Sequence, residues 1–394
     1  MYCAAIRSTP ADTTPFPSII SAAAYLLLRS IGEGSNLKTK KLILVTLIAL
    51  GALVMSACSG SRTVSNNWHG LAADAERAYL SNSSFIYAVD LKNGNEVWRY
   101  PAEADSKLLF YSTPVLTADG QLLVGSAGTN HPFLSLDPAT GKEKWVESFT
   151  KAKGAWLASP LIFNETIYAP NTDGFVYVLD MNGQEAADPI ELGGALWSAP
   201  ATDGKYLYIS SLDHHLHIID PADGSPVTDP IDLGGAAPSS PIVNGDGVIA
   251  GSFASKIELV KPNGSQEVLS TAGNWIWGSP VIDGETLYYA DLNGTVYSLD
   301  LASGSQNWEV QPGGPVVASL LVAGDQIYVA TEAGALIALD REGSTVWSKE
   351  VGGKLYTTPV LSGELILAAP YQADIVLAAY DADGKQAWSF TPEK

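Results

Sequence analysis

The chain has 394 residues, with 42 acidic against 22 basic side chains and a net charge of −20 at pH 7. That balance argues against nucleic acid as a partner, because phosphate binding needs clustered Lys and Arg, and equally against a bare anionic lipid surface. The only cysteines are Cys3 and Cys58, so everything beyond Cys58 lacks a disulfide, a thiolate nucleophile and a cysteine metal site.

Residues 1–36 carry no targeting logic. They read as an unstructured leader or as sequence upstream of the true start, with Leu37 standing for a TTG or CTG codon translated as Met. Residues 37–57 read as a secretory signal. Lys38, Lys40 and Lys41 precede sixteen uncharged residues, 42–57. That run is short for a membrane span, which needs about twenty. Met55-Ser56-Ala57-Cys58 resembles the bacterial lipobox, which implies lipidation at Cys58 and a new N-terminus there. Ser59, where Asp would retain the protein inside, resembles an outer-membrane sorting signal if the host has two membranes. Residues 58–67 form a short polar tether. Removing residues 1–57 takes away five basic and two acidic residues and leaves a net charge of −23, which serves solubility before it suggests basic partners.

From residue 68 to 394 a segment of about forty residues recurs eight times. Its aspartate stands at Asp90, Asp137, Asp180, Asp220, Asp300, Asp340 and Asp381, with Lys261 in that slot of the fifth copy, at intervals of 39 to 47 residues. Within a copy, Ser279–Asp283, Glu285–Asp291, Thr295–Asp300 and Asn307–Val310 are runs rich in Val, Ile, Tyr and Trp, bounded by Gly, Asn and Asp. They predict four strands joined by tight turns. A sheet this small cannot bury its own faces, so the copies must stack around an axis. The expectation is an all-β fold, an eight-bladed β-propeller of four-stranded antiparallel blades.

The run Leu136-Asp137-Pro138-Ala139-Thr140-Gly141-Lys142-Glu143-Lys144-Trp145 resembles the tryptophan-docking motif of the pyrroloquinoline-quinone-like (PQQ-like) propeller repeats. Ala88, Asp90, Gly94 and Trp98 match it in full, and Trp308, Trp347 and Trp388 close further copies. Copies three to five lack the tryptophan. The physical roles expected are structural: glycine for a positive-φ turn, aspartate for the turn amides, tryptophan for packing between sheets. Quinone dehydrogenases share these repeats. The resemblance implies for them a larger chain, long loops over the cofactor and a calcium site of Glu, Asn and Asp, and no insert here supplies those. No catalytic residue, metal or cofactor is therefore expected. His215 and His217 share a strand face but align with Phe175 and Tyr177, ordinary sheet positions.

One further pattern stands out. Three residues ahead of the first-strand proline, or its equivalent, lie Trp68, Tyr111, Leu157, Trp197, Pro238, Trp277, Val317 and Tyr356, with Trp156 beside the third. One such position per blade forms a ring around the axis. It is either inner-strand packing or a rim for a peptide or ligand, set by Trp68, Tyr111, Trp156, Trp197, Trp277 and Tyr356. In form the chain is similar to the BamB-type lipoproteins of outer-membrane protein assembly. That resemblance implies an exported, lipid-anchored, non-enzymatic scaffold in the cell envelope, with other envelope proteins or extended peptides as partners. The alternative is a cell-surface ligand or glycan-binding propeller.

Overall fold

The computed structural model describes residues 69–393 apart from 246. Cys58, Trp68, the signal, the leader and the tether lie outside the described residues. Strand is the regular element of the described residues, in eight antiparallel sheets. Seven sheets have four strands in chain order, such as Gly70–Ala73, Arg77–Asn82, Phe85–Asp90 and Glu96–Tyr100 in blade 1. In blade 2 the fourth segment pairs only through the isolated bridges Leu136–Glu143 and Phe133–Phe149. First strands of neighbouring blades touch, so they line the axis, and each blade runs outward from them.

The period-2 alternation of the middle strands feeds two seams at once. In blade 1, Ala78 and Leu80 pack toward blade 8, while Tyr79 packs toward blade 2. Each of the eight buried apolar clusters straddles one seam between neighbouring blades. No blade therefore owns a core.

Directional contacts then fix how the blades meet. The indole N–H of Trp98 donates to Pro138 O (3.0 Å) and that of Trp145 to Met181 O (2.9 Å). Trp308 donates to Arg341 O (2.8 Å), Trp347 to Ala382 O (2.8 Å) and Trp388 to Leu91 O (2.7 Å). In each case the acceptor is the residue after the next blade's motif aspartate. The ring lies on that blade's turn glycine so closely that a Cβ on Gly94 would come within 2.7 Å of Trp388. All seven motif aspartates accept amides of their own turns, as Asp137 Oδ1 does from Ala139 N (2.7 Å). Trp98 and Trp145 are buried; Trp308, Trp347 and Trp388 are half-buried at the rim.

A second set of directional contacts links the first strands of blades 4 to 8 beside the axis. The amides of Ala199, Ser240, Ser279 and Ser319 donate to the hydroxyls of Ser240, Ser279, Ser319 and Thr358 in the following blades, at 2.8–3.1 Å. Three of the four acceptors, Ser240, Ser279 and Thr358, precede a proline, and the fourth, Ser319, precedes Leu320.

The ring closes between complete blades, without strand exchange. Trp388 docks on blade 1, Thr357 Oγ1 donates to His69 O (2.5 Å) and Ser362 Oγ to Asp74 O (2.6 Å). Leu71 and Leu80 pack against Leu367 and Leu377 across the same seam. His69 is buried at this closure, its Nδ1 without a hydrogen-bond partner, and burial pulls its pKa down to about 4. Native His69 is thus neutral where an unfolded chain, with pKa near 6.5, is protonated. Its contribution is fully present above about pH 6.5 and is lost as the pH falls toward 4, a loss of about 3 kcal/mol. Denaturant melts at pH 7 and pH 4.5 should show a steep acid loss in the native chain and a shallower one in His69→Gln.

Candidate functional site

Of the positions singled out around the axis, Trp197, Trp277 and Tyr356 stand half-buried at one end of the ring, where the chain approaches each first strand and where second and third strands turn. Backbone bonds set their height. Thr172 N donates to Ala155 O (3.1 Å), Leu212 N to Ala195 O (3.1 Å), Phe253 N to Ala236 O (2.8 Å) and Leu292 N to Trp275 O (3.0 Å). Glu332 N donates to Pro315 O (2.8 Å), and Lys354 N to Tyr371 O (2.8 Å).

On one side of the mouth is an aromatic wall. Trp197 and Trp277, from blades 4 and 6, meet at 6.2 Å between ring centroids and an interplanar angle of 53°. Between them in the ring, blade 5 supplies the small, buried Pro238. Phe253 lies 5.1 Å from Trp277 and stacks on Trp275 at 4.8 Å and 13°. All four rings are half-buried. Sequence reasoning missed Phe253 and Trp275. The alternation Trp275-Ile276-Trp277 carried a signal for the second; the first stands at a turn position held elsewhere by Thr172, Leu212, Leu292 and Glu332.

The opposite side is polar. Lys354 Nζ lies 2.6 Å from Glu332 Oε1, and the Tyr356 hydroxyl donates to the same oxygen at 3.0 Å. Burial works against the Glu332 charge, but the Lys354 and Tyr356 hydrogen bonds hold its carboxyl below the usual range. The Glu332 carboxylate raises the Lys354 ammonium in turn. Tyr371 sits 6.2 Å from Tyr356 and 5.9 Å from His69.

Two rim assignments are corrected by burial. Trp156 is 0% exposed, donates its N–H to His131 O (2.7 Å) and packs with Phe133, Phe149 and Tyr177 in the seam between blades 2 and 3. Tyr111 is 6% exposed and likewise offers a ligand little surface. Trp156 holds the inward position filled elsewhere by the buried Leu196, Ile276, Val316 and Leu355, and Gly125 leaves room for its larger ring: a Cβ there would come within 2.3 Å of the Trp156 Cβ. Among the described residues the half-buried rings of the candidate rim are Trp197, Trp277 and Tyr356, and Phe253 and Trp275 lie against them.

His217 Nε2 lies 3.3 Å from Asp213 Oδ2, in the register where the Tyr177 hydroxyl donates to Asp173 (2.8 Å). Both pairs pin a turn to its strand. Burial lowers the His217 pKa against the opposing pull of Asp213. Among the described residues no three His, Cys, Asp or Glu side chains are grouped to hold a metal. An open depression of about 630 Å³ lies away from the mouth, near Tyr288, Trp308 and Arg341. Its one guanidinium is engaged, by Asp283 at 2.8 Å.

The model of the family described as outer membrane protein assembly factor BamB matches residues 51–229 and 322–394, more than half of the chain. The chain belongs to that family. The unmatched stretch, 230–321, carries Phe253, Trp275 and Trp277. An outer membrane protein assembly factor BamB from Legionella pneumophila is 28% identical over 133 residues, 34% of this chain and 32% of that protein. A quinohemoprotein alcohol dehydrogenase, ADH IIB of Pseudomonas putida, is 31% identical over 134 residues, 28% of this chain and 19% of that enzyme. The aligned region thus spans about a third or less of these curated relatives. The crystal structure of BamB from Moraxella catarrhalis shares the fold, with a TM-score of 0.60, 18% identity, and coverage of 80% of this chain and 91% of that one.

An aromatic pair contributes about 0.5–1.5 kcal/mol beyond its buried area. A double-mutant cycle on Trp197→Ala and Trp277→Ala, read by chemical denaturation, should return a coupling of that size. Neither single change should approach the ~3–5 kcal/mol of a fully buried Trp→Ala, for which Trp156→Ala is the internal control.

Proposed function

We propose that this protein is an exported propeller, held to a membrane of the cell envelope by a lipid on Cys58, that acts as a non-enzymatic scaffold for envelope proteins in the manner of the BamB family. The observation that carries this reading is the use to which the repeat puts its polar residues. Each motif aspartate is committed to its own turn, and each docking indole to the next blade. What is left for partners is surface: the mouth, with its aromatic wall and its Lys354–Glu332 pair. Tyr and Trp suit that role, since each offers broad apolar area with a polar edge. The repeats shared with quinohemoprotein dehydrogenases fit the same view, because a repeat fold does not fix chemistry. A second reading, a ligand or glycan-binding propeller, is favoured by the wall alone, where half-buried rings would stack on a sugar face.

Capture of the tagged protein from membranes separates the two readings. The scaffold reading expects envelope proteins that are lost when Trp197 and Trp277 are both changed to Ala; a soluble glycan competing at the same variants would instead favour the second. Cys58→Ala should move the protein from the membrane to the soluble fraction and change its mature mass, since two or more acyl chains, at about 0.8 kcal/mol per buried CH₂, hold a protein stably. Unaltered fractionation would refute the anchor. With pyrroloquinoline quinone and Ca²⁺ supplied, dye-linked alcohol oxidation should stay at background; turnover with stoichiometric quinone binding would overturn the non-enzymatic reading.

A further inference from the structure

Each blade presents a turn glycine, between its third and fourth strands, to the blade before it. Five of these, Gly94, Gly141, Gly183, Gly343 and Gly384, are buried under an indole at 2.4–2.9 Å from a built Cβ. Gly224 and Gly264 are met more loosely, by Ile190 at 3.2 Å and Thr228 at 3.6 Å. Gly304 of blade 6 is different. It has the same positive φ of 68°, yet it is exposed and nothing comes within 4 Å of a Cβ built there.

Blade 5 supplies no tryptophan to cover it, and its bulge is shifted as well. In blades 1, 6, 7 and 8 the bulge falls at Ala88/Val89, Ser298/Leu299, Ala338/Leu339 and Ala379/Tyr380, in each case the two residues directly ahead of the motif aspartate. In blade 5 it falls at Ile257/Glu258. Spacing alone would place Val268, four residues after Gly264, in the tryptophan position. The shifted bulge pairs Val268 with Glu258 and brings Glu267 opposite Leu259, the register in which Trp308 faces Ser298 and Trp347 faces Ala338.

The seam itself is complete. Ile249, Ile257, Leu287 and Tyr289 are buried in it, Ser270 Oγ bonds the Tyr289 hydroxyl at 2.6 Å, and Phe253 stacks on Trp275 at its mouth end. Gly304 lies exposed on the turn of blade 6 that borders this seam, whose partly buried members include Leu259, Leu269 and Leu301. It lies in 230–321, where the family match breaks off.

We propose that this slot binds a tryptophan side chain presented by a partner protein. The five filled seams of the same molecule show what it is shaped for: an indole laid on the glycine, its N–H donated to the carbonyl of the residue after the motif aspartate. In blade 6 that carbonyl belongs to Leu301. The slot stands at the end of the ring opposite the mouth and is independent of how the mouth is used.

N-acetyl-L-tryptophanamide titrated into the full-length, isotope-labelled protein tests it by NMR. The Gly304 and Leu301 amides should shift saturably, while Gly141, already under Trp98, stays still. N-acetyl-L-phenylalaninamide, lacking the N–H, should bind about fivefold more weakly. Glu267→Trp should fill the slot from within, raise the melting midpoint and abolish the titration. No saturable shift at Gly304, or a shift that survives Glu267→Trp, overturns the proposal. So does a Gly304 shift that depends on protein concentration alone, which would assign the slot to a second copy of this chain.

Discussion

A four-stranded sheet with two apolar faces has no stable place in water except between two others like it. That constraint governs this molecule. The middle strands carry large apolar side chains on both faces, Tyr79 on one side of blade 1 and Leu80 on the other, and both are fully buried. Such burial is strong but non-directional. It makes the blades stack without saying at what height or rotation. The hydrogen-bonding groups supply that information: indole N–H to carbonyl at the rim, amide to hydroxyl around the axis.

Closure follows from the same rule. A chain of stacked blades leaves one apolar face bare at each end, and here the two bare faces cover one another through Leu71, Leu80, Leu367 and Leu377. Trp388 then makes across the first and last blades the contact that Trp347 makes between neighbours in sequence. The cost of burying His69 at that junction makes the closure one acid-sensitive point of the ring.

The seams are not equal. Tryptophan docking holds the ring from blade 6 through blade 8 and on to blade 3, while the seams between blades 3 and 6 use Ile190, Thr228 or nothing against the turn glycine. The seam that lacks any cap carries the Phe253–Trp275 stack at its other end. In residues 230–321, which the family model does not match, Trp308 still docks at the rim, while Phe253, Trp275 and Trp277 lie at the mouth.

The period of the aspartates, the strand–turn alternation and the tryptophan spacing were legible in the chain, because each is a local pattern repeated in register. They determined an all-β ring and its blade number, and set Trp98, Trp145, Trp308, Trp347 and Trp388 at one position of the repeat. What only the tertiary structure decided were the distances between blades. Trp156 and Trp197 stand one position apart in the repeat, yet one is sealed in a seam beside Gly125 and the other opens on the mouth. Phe253 and Trp275 are 22 residues apart and meet face to face. Val268 holds the spacing of a docking tryptophan but, with its bulge displaced, pairs with Glu258 instead. A repeat pattern fixes what each blade offers; the contact between one blade's side chains and the next blade's backbone, which no single repeat contains, decides what is buried and what is left to bind.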